Sequence, residues 1–204
     1  MILAKEFSVP MALVDFIPVV LFGLAICLLI KCLANKMSKI QLVLFSTGGV
    51  NVFIAGFLKA LYKLLYALNV CDFVALNNMF FPVQSIGFLL LGVGAIWFVF
   101  KKNKLLSVPP VFSGTFVFVG FMCGGLLLLD VAVSVIAKRL KKSWVIILFI
   151  LSFICSLCMG YLSSQDFEQA FMNWVAEVVN IVGQGSLFVG VYVLSKNGLG
   201  DYNA

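Results

Sequence analysis

Six long apolar runs, separated by short polar breaks, occupy roughly 11–30, 41–66, 77–100, 110–137, 143–161 and 169–194. Each meets the length of about 20 residues that a helix needs to cross a hydrocarbon core. None shows the two-residue alternation of a barrel strand. In lipid an isolated segment satisfies its own backbone only as a helix. The pattern predicts an all-α integral membrane protein with six transmembrane helices. It forms a single membrane domain, 1–204, divisible into halves 1–104 and 105–204. Ser8-Val9-Pro10 has the chemistry of a helix start, and Lys31, not a small-residue cleavage site, follows the first run. That run therefore reads as a span and not as a cleaved signal. Short connections predict antiparallel neighbours.

On that reading one side of the membrane holds 31–39, 101–104 and 162–168. The other holds both termini, 67–76 and 138–142. Each side then carries six basic residues, so charge sets no orientation. Tyr62, Tyr66, Trp97, Trp144, Tyr161 and Tyr192 fall near run ends, as in interfacial aromatic belts.

The halves share a loose pattern. A basic turn follows the first helix of each, and each third helix opens on Asp-Phe, at Asp72-Phe73 and at Asp166-Phe167. Three helices is an odd number, so with antiparallel neighbours a duplication has inverted topology. The expectation is two inverted three-helix repeats.

Polar residues on the last run are too regular for lipid. Gln169, Asn173, Glu177, Asn180 and Gln184 are spaced four, four, three and four apart and fall within an arc of about 80°. The third run offers Asn77, Asn78, Gln84 and Ser85 around Pro82, which cannot donate a backbone N–H and should loosen the helix. Amides on membrane helices either tie helices together or line a pathway. Glu177, Asn180, Gln184, Asn173, Gln84, Ser85 and Asn78 are the candidate ligands for a small solute or ion. Matching depths along the helices predicts two structural ion pairs, Lys59 with Asp130 and Lys63 with Asp15. Glu177 lies about 12 Å into its helix with no base at its own depth. It is expected to be protonated or to hold a cation.

Composition agrees with the pattern. The chain is 63% hydrophobic and 11% charged with a mean hydropathy of +1.17, against about 25% charged in a soluble domain. That excludes a soluble globular domain, a disordered chain and a nucleic-acid binder, so the net charge of +6 belongs beside lipid headgroups. The absence of histidine removes imidazole catalysis and His metal ligation. Cys155 and Cys158 have redox or zinc spacing but sit among apolar residues, where packing is the default role. Gly120 and Gly124 form a GxxxG, a helix-packing motif.

The expected function is a small polytopic transporter or channel for a small solute or ion, its pathway lined by helices three and six. The alternative is a membrane-embedded subunit or scaffold whose polar stripe is a packing seam. No nucleophile–base pair is readable, so no enzyme activity is expected, and no cofactor or metal is called for. The expected partners are the lipid bilayer, a small solute or ion, and a second copy or partner subunit. The expected location is a multi-pass position in a membrane, the cell membrane.

Overall fold

Caps and prolines set the helix boundaries in the computed structural model, which describes residues 8–100, 115–162 and 170–202. The Ser8 hydroxyl accepts from the Met11 N–H, and α1 (Val9–Val14) begins there. Pro18 has no N–H for the Val14 carbonyl. The helix breaks at Asp15 and resumes as α2 (Phe16–Leu33). Ser38 and Gln41 form a reciprocal capping box that starts α3 (Lys39–Ala67). There follow α4 (Val74–Phe100), α5 (Thr115–Arg139), α6 (Ile146–Leu162) and α7 (Ala170–Lys196). With α1 and α2 counted as one, six helices are long and apolar enough to span a membrane. Their outer faces carry exposed Ile17, Val20, Leu24, Ile147, Ile154 and Val178, as a lipid-facing surface requires.

The helices form a closed ring. Each packs on its neighbours in the chain, and α2 packs on α7 to complete it. Glycines let two of these contacts close to backbone distance. A Cβ on Gly94 would lie 2.9 Å from the Phe45 nitrogen, across the α3–α4 contact, and Gly125 sits directly against the Phe88 backbone across α4–α5. Among the described residues nothing lies within 4 Å of a Cβ built on Gly120 or Gly124. Within the chain, close packing therefore falls to Gly125 and not to the GxxxG pair.

Helix directions depart from the expectation at one contact. Along α3 and α4 the pairings Phe45–Gly94 and Val52–Gly87 run in opposite order, so these helices are antiparallel. Along α4 and α5 the pairings Phe88–Gly125 and Gly92–Leu128 rise together, so these neighbours are parallel. The far end of the ring agrees. The Phe98 ring meets Tyr202 edge-on at 5.9 Å, and the Arg139 guanidinium donates to the Tyr202 hydroxyl. The C-terminal ends of α4 and α5 thus lie together beside the residues that follow α7. The start of α1 and the end of α7 are consequently at opposite ends of the ring, not on one side. An inverted duplication would oppose α2 to α5, α3 to α6 and α4 to α7, whereas each pair runs the same way.

This arrangement also sorts the charges. Lys31, Lys36 and Lys39 share one end with Lys138, Arg139, Lys141, Lys142 and Lys196. Among the described residues the opposite end carries no lysine or arginine outside the interior of the ring. The hydrophobic core fills the basic half, where Leu29, Phe45, Leu91, Leu129, Phe149 and Leu194 are buried. Close packing there leaves the other half of the ring as the place for a cavity.

Candidate functional site

The half of the ring away from the basic end encloses a cavity of about 720 Å³ to which all six spans contribute. Its charged centre is built by three helices. The break at Asp15 places that carboxylate at the junction of α1 and α2, in the cavity wall. Lys63 comes from the last turns of α3, and Glu177 from the second turn of α7. The Lys63 ammonium donates to Glu177 Oε1 at 2.7 Å and lies 2.9 Å from Asp15 Oδ2. All three residues are buried. One ammonium thus neutralises one of two carboxylates, and the triad carries a net negative charge when its acids are ionised. An ammonium shared by two carboxylates is the economical way to hold acids in a low-dielectric interior.

Lys59 stands one turn from Lys63 on the same face of α3 and also lines the cavity. Its ammonium lies 3.9 Å from the centre of the Phe80 ring and 5.8 Å from that of Phe81. Such seating on aromatic faces contributes about 0.5–2 kcal/mol. Among the described residues no carboxylate lies within ion-pair distance of it.

The amides divide between the cavity and elsewhere. Asn77 and Gln84 of α4 and Asn173, Asn180 and Gln184 of α7 line the cavity. The buried side-chain oxygens of Gln84 and Gln184, and Glu177 Oε2, have no hydrogen-bond partner among the described residues. Two expected ligands are not in the wall. Asn78 faces outward, and the buried Ser85 donates its hydroxyl to the Pro82 carbonyl at 3.0 Å. That bond to its own helix occupies the hydroxyl, so Ser85 serves α4 and not a solute. The helix runs unbroken through Pro82, and the interrupted helix of this protein is the first one. Gln169 lies outside the described residues.

Of the two expected ion pairs, Lys63 meets Asp15. Lys59 and Asp130 do not meet. Asp130 lies in the basic half of α5, beside a separate apolar cavity of about 270 Å³, and neither carboxylate oxygen has a partner among the described residues. Glu177 is not the isolated acid that depth matching implied, since Lys63 is its partner. Reading from the sequence assigned Lys59, Lys63 and Asp15 only structural roles, whereas all three line the cavity with Glu177. Tyr62, expected in an interfacial belt, is buried in the wall and donates to Asp72 at 3.1 Å. Cys155 packs against Gly183, and Cys158 faces outward.

Comparison with protein-family models, with characterised proteins and with solved structures finds no match for this chain. The functional reading therefore rests on the cavity.

Proposed function

We propose that this protein is a small polytopic transporter that binds a small solute in the cavity between its helices. The observation that carries the reading is the cavity itself: about 720 Å³, reaching Glu177, with charged and amide groups turned into an otherwise apolar wall. A ligand site is of this kind: a concave, mainly apolar space of about 300–1,000 Å³ with a few placed polar groups. A packing seam has no use for buried carbonyl oxygens without partners, because an unmade bond costs about 1–3 kcal/mol. The scaffold reading draws its support from the Asp15–Lys63–Glu177 triad, which ties three helices together whether or not anything binds.

The basic end fits the cytoplasmic face under the positive-inside rule. The cavity, closed toward that end by the packed core, is then reached from the opposite face. Solute would bind on that side and be released by a rearrangement of the ring. Water access tests the reading. In a background with the native cysteines replaced, Asn180→Cys should react with a charged, membrane-impermeant methanethiosulfonate applied from the non-cytoplasmic side. Protection of that thiol in intact vesicles, with labelling restored on denaturation, would mean a dry seam and would remove transport through this cavity.

A further inference from the structure

We infer that the solute is a zwitterion with an apolar body, bound with its carboxylate at Lys59 and its ammonium at Glu177. The inference rests on the cavity being a solute site, and it names the class of solute.

Two poles of opposite sign face the same space. Lys59 is the positive one. Its ammonium rests on the Phe80 ring and lacks a carboxylate partner among the described residues, so its N–H donors are available to an anion. The negative pole is the triad. Lys63 occupies Glu177 Oε1, which leaves Oε2 buried and without a hydrogen-bond partner among the described residues. Among the described residues the amide oxygens of Gln84 and Gln184 lack partners as well. Asp15 Oδ2 lines the same cavity, meets Lys63 as an ion pair and lacks a hydrogen-bond partner among the described residues. All four oxygens are acceptors, and they call for a donor-rich group such as an ammonium.

Charge balance narrows the class further. With Asp15 and Glu177 ionised, two carboxylates face Lys59 and Lys63, and the charges that the described residues place in the cavity sum to zero. A solute of net charge would leave an uncompensated charge among mainly apolar walls, which is costly. A zwitterion leaves the sum unchanged and satisfies both poles. The rest of the wall is apolar and aromatic, with Val19, Phe22, Phe53, Phe81, Phe88 and Leu126. That surface suits a hydrocarbon or aromatic body and disfavours a second polar group.

Three molecules of one skeleton test this. L-phenylalanine carries both charges, 3-phenylpropionate only the carboxylate, and phenethylamine only the ammonium; L-leucine extends the zwitterion to an aliphatic body. Calorimetry on the purified protein in nanodiscs should detect binding of a zwitterion, with each singly charged analogue weaker by roughly tenfold or more, since each leaves one buried pole unmatched. Lys59→Gln should weaken the zwitterion and narrow its advantage over phenethylamine. Lys59 holds no ion pair among the described residues, so Lys59→Gln should lower the thermal melt by no more than the loss of its contact with the Phe80 ring, and the melt checks that loss of binding is not loss of structure. Tighter binding of either analogue than of the zwitterions, an unchanged affinity in Lys59→Gln, or no binding of any of the four would overturn the inference. If binding fails while Asn180→Cys is still labelled from the aqueous side, the solute class is wrong and the transporter reading stands. If both fail, the cavity is not a solute site.

Discussion

Lys63 and Glu177 lie 114 residues apart in the chain and meet at 2.7 Å inside the ring. The same ammonium reaches Asp15, so three spans depend on one side chain. Removing the lysine leaves two buried carboxylates facing each other without compensation. Lys63→Met should cost about 3–5 kcal/mol, the usual loss when one partner of a buried ion pair is removed. Glu177→Gln should cost less, because Lys63 keeps Asp15 and the amide keeps the shape. The triple change Lys63→Met, Asp15→Asn, Glu177→Gln should recover much of the stability lost in Lys63→Met alone, since no unpaired charge remains. Thermal melts in detergent follow the series. Equal melting of wild type and Lys63→Met would mean that the triad contributes nothing to the fold.

Asp130 makes the opposite case. Both of its carboxylate oxygens are buried without partners among the described residues, in a wall of Leu127, Val131, Phe149 and Ile150. Asp130→Leu should raise stability by about 1–3 kcal/mol, the cost of leaving a buried polar group unsatisfied. Combined with Lys59→Met, the effects should add to within about 0.5 kcal/mol, as for residues with no shared partners. A coupling well beyond that would place Lys59 and Asp130 in contact and contradict the geometry.

Neighbouring glycines on α5 should respond very differently to the same substitution. A methyl group at Gly125 collides with the Phe88 backbone, which cannot yield as a side-chain tip can. Gly125→Ala should therefore destabilise by about 1–3 kcal/mol through overpacking. Gly124→Ala meets none of the described residues within 4 Å and should be neutral or slightly stabilising, because alanine favours the helix by about 1 kcal/mol over glycine. Melting the two single variants side by side measures the contrast. A larger loss at Gly124 than at Gly125 would contradict the placement of α5 against α4.

Helix positions were readable from the chain because apolar length is a local property; the run at 143–161, for instance, forms α6 with its preceding turn. The stripe on the last run was readable for the same reason: Asn173, Glu177, Asn180 and Gln184 do line one cavity. The direction of α5 was not readable. It depends on which end of α4 the start of α5 packs beside, and hydrophobic periodicity says nothing about that. One reversed direction accounts for three departures together. It carried Glu177 to the end opposite Lys63, and so hid its partner. It brought Asp130 to the depth of Lys59, and so suggested a pair that does not exist. It also divided the basic residues evenly between two sides, although Lys36 and Lys141 belong to the same end. Ser85 and Asn78 were misjudged on a finer scale. Which of two adjacent polar residues faces inward depends on the rotation of α4 within the ring, and a stripe of only a few polar positions leaves that rotation loosely specified.

The parallel packing of α4 and α5 makes a prediction about sidedness that differs from the one short connections alone would make. With antiparallel neighbours throughout, the turn at 140–143 would share a face with Cys71. In the structure it shares an end with Asn35, because α5 and α4 both finish where Tyr202 packs. Cys71 lies at the other end and is exposed. Three single-cysteine proteins separate the alternatives: native Cys71 with the other five cysteines replaced, and Asn35→Cys or Ser143→Cys with all six native cysteines replaced. Positions 35 and 143 are exposed, so substitution there should leave the fold intact. A membrane-impermeant maleimide applied to intact cells should label Cys71 and spare the other two. Lysis should expose both of them. That result would also place the basic end in the cytoplasm, since the positive-inside rule and the packing then agree. Labelling of Ser143→Cys together with Cys71 in intact cells would show α4 and α5 crossing in opposite directions. The charge segregation and the ring order of the helices would then both be wrong.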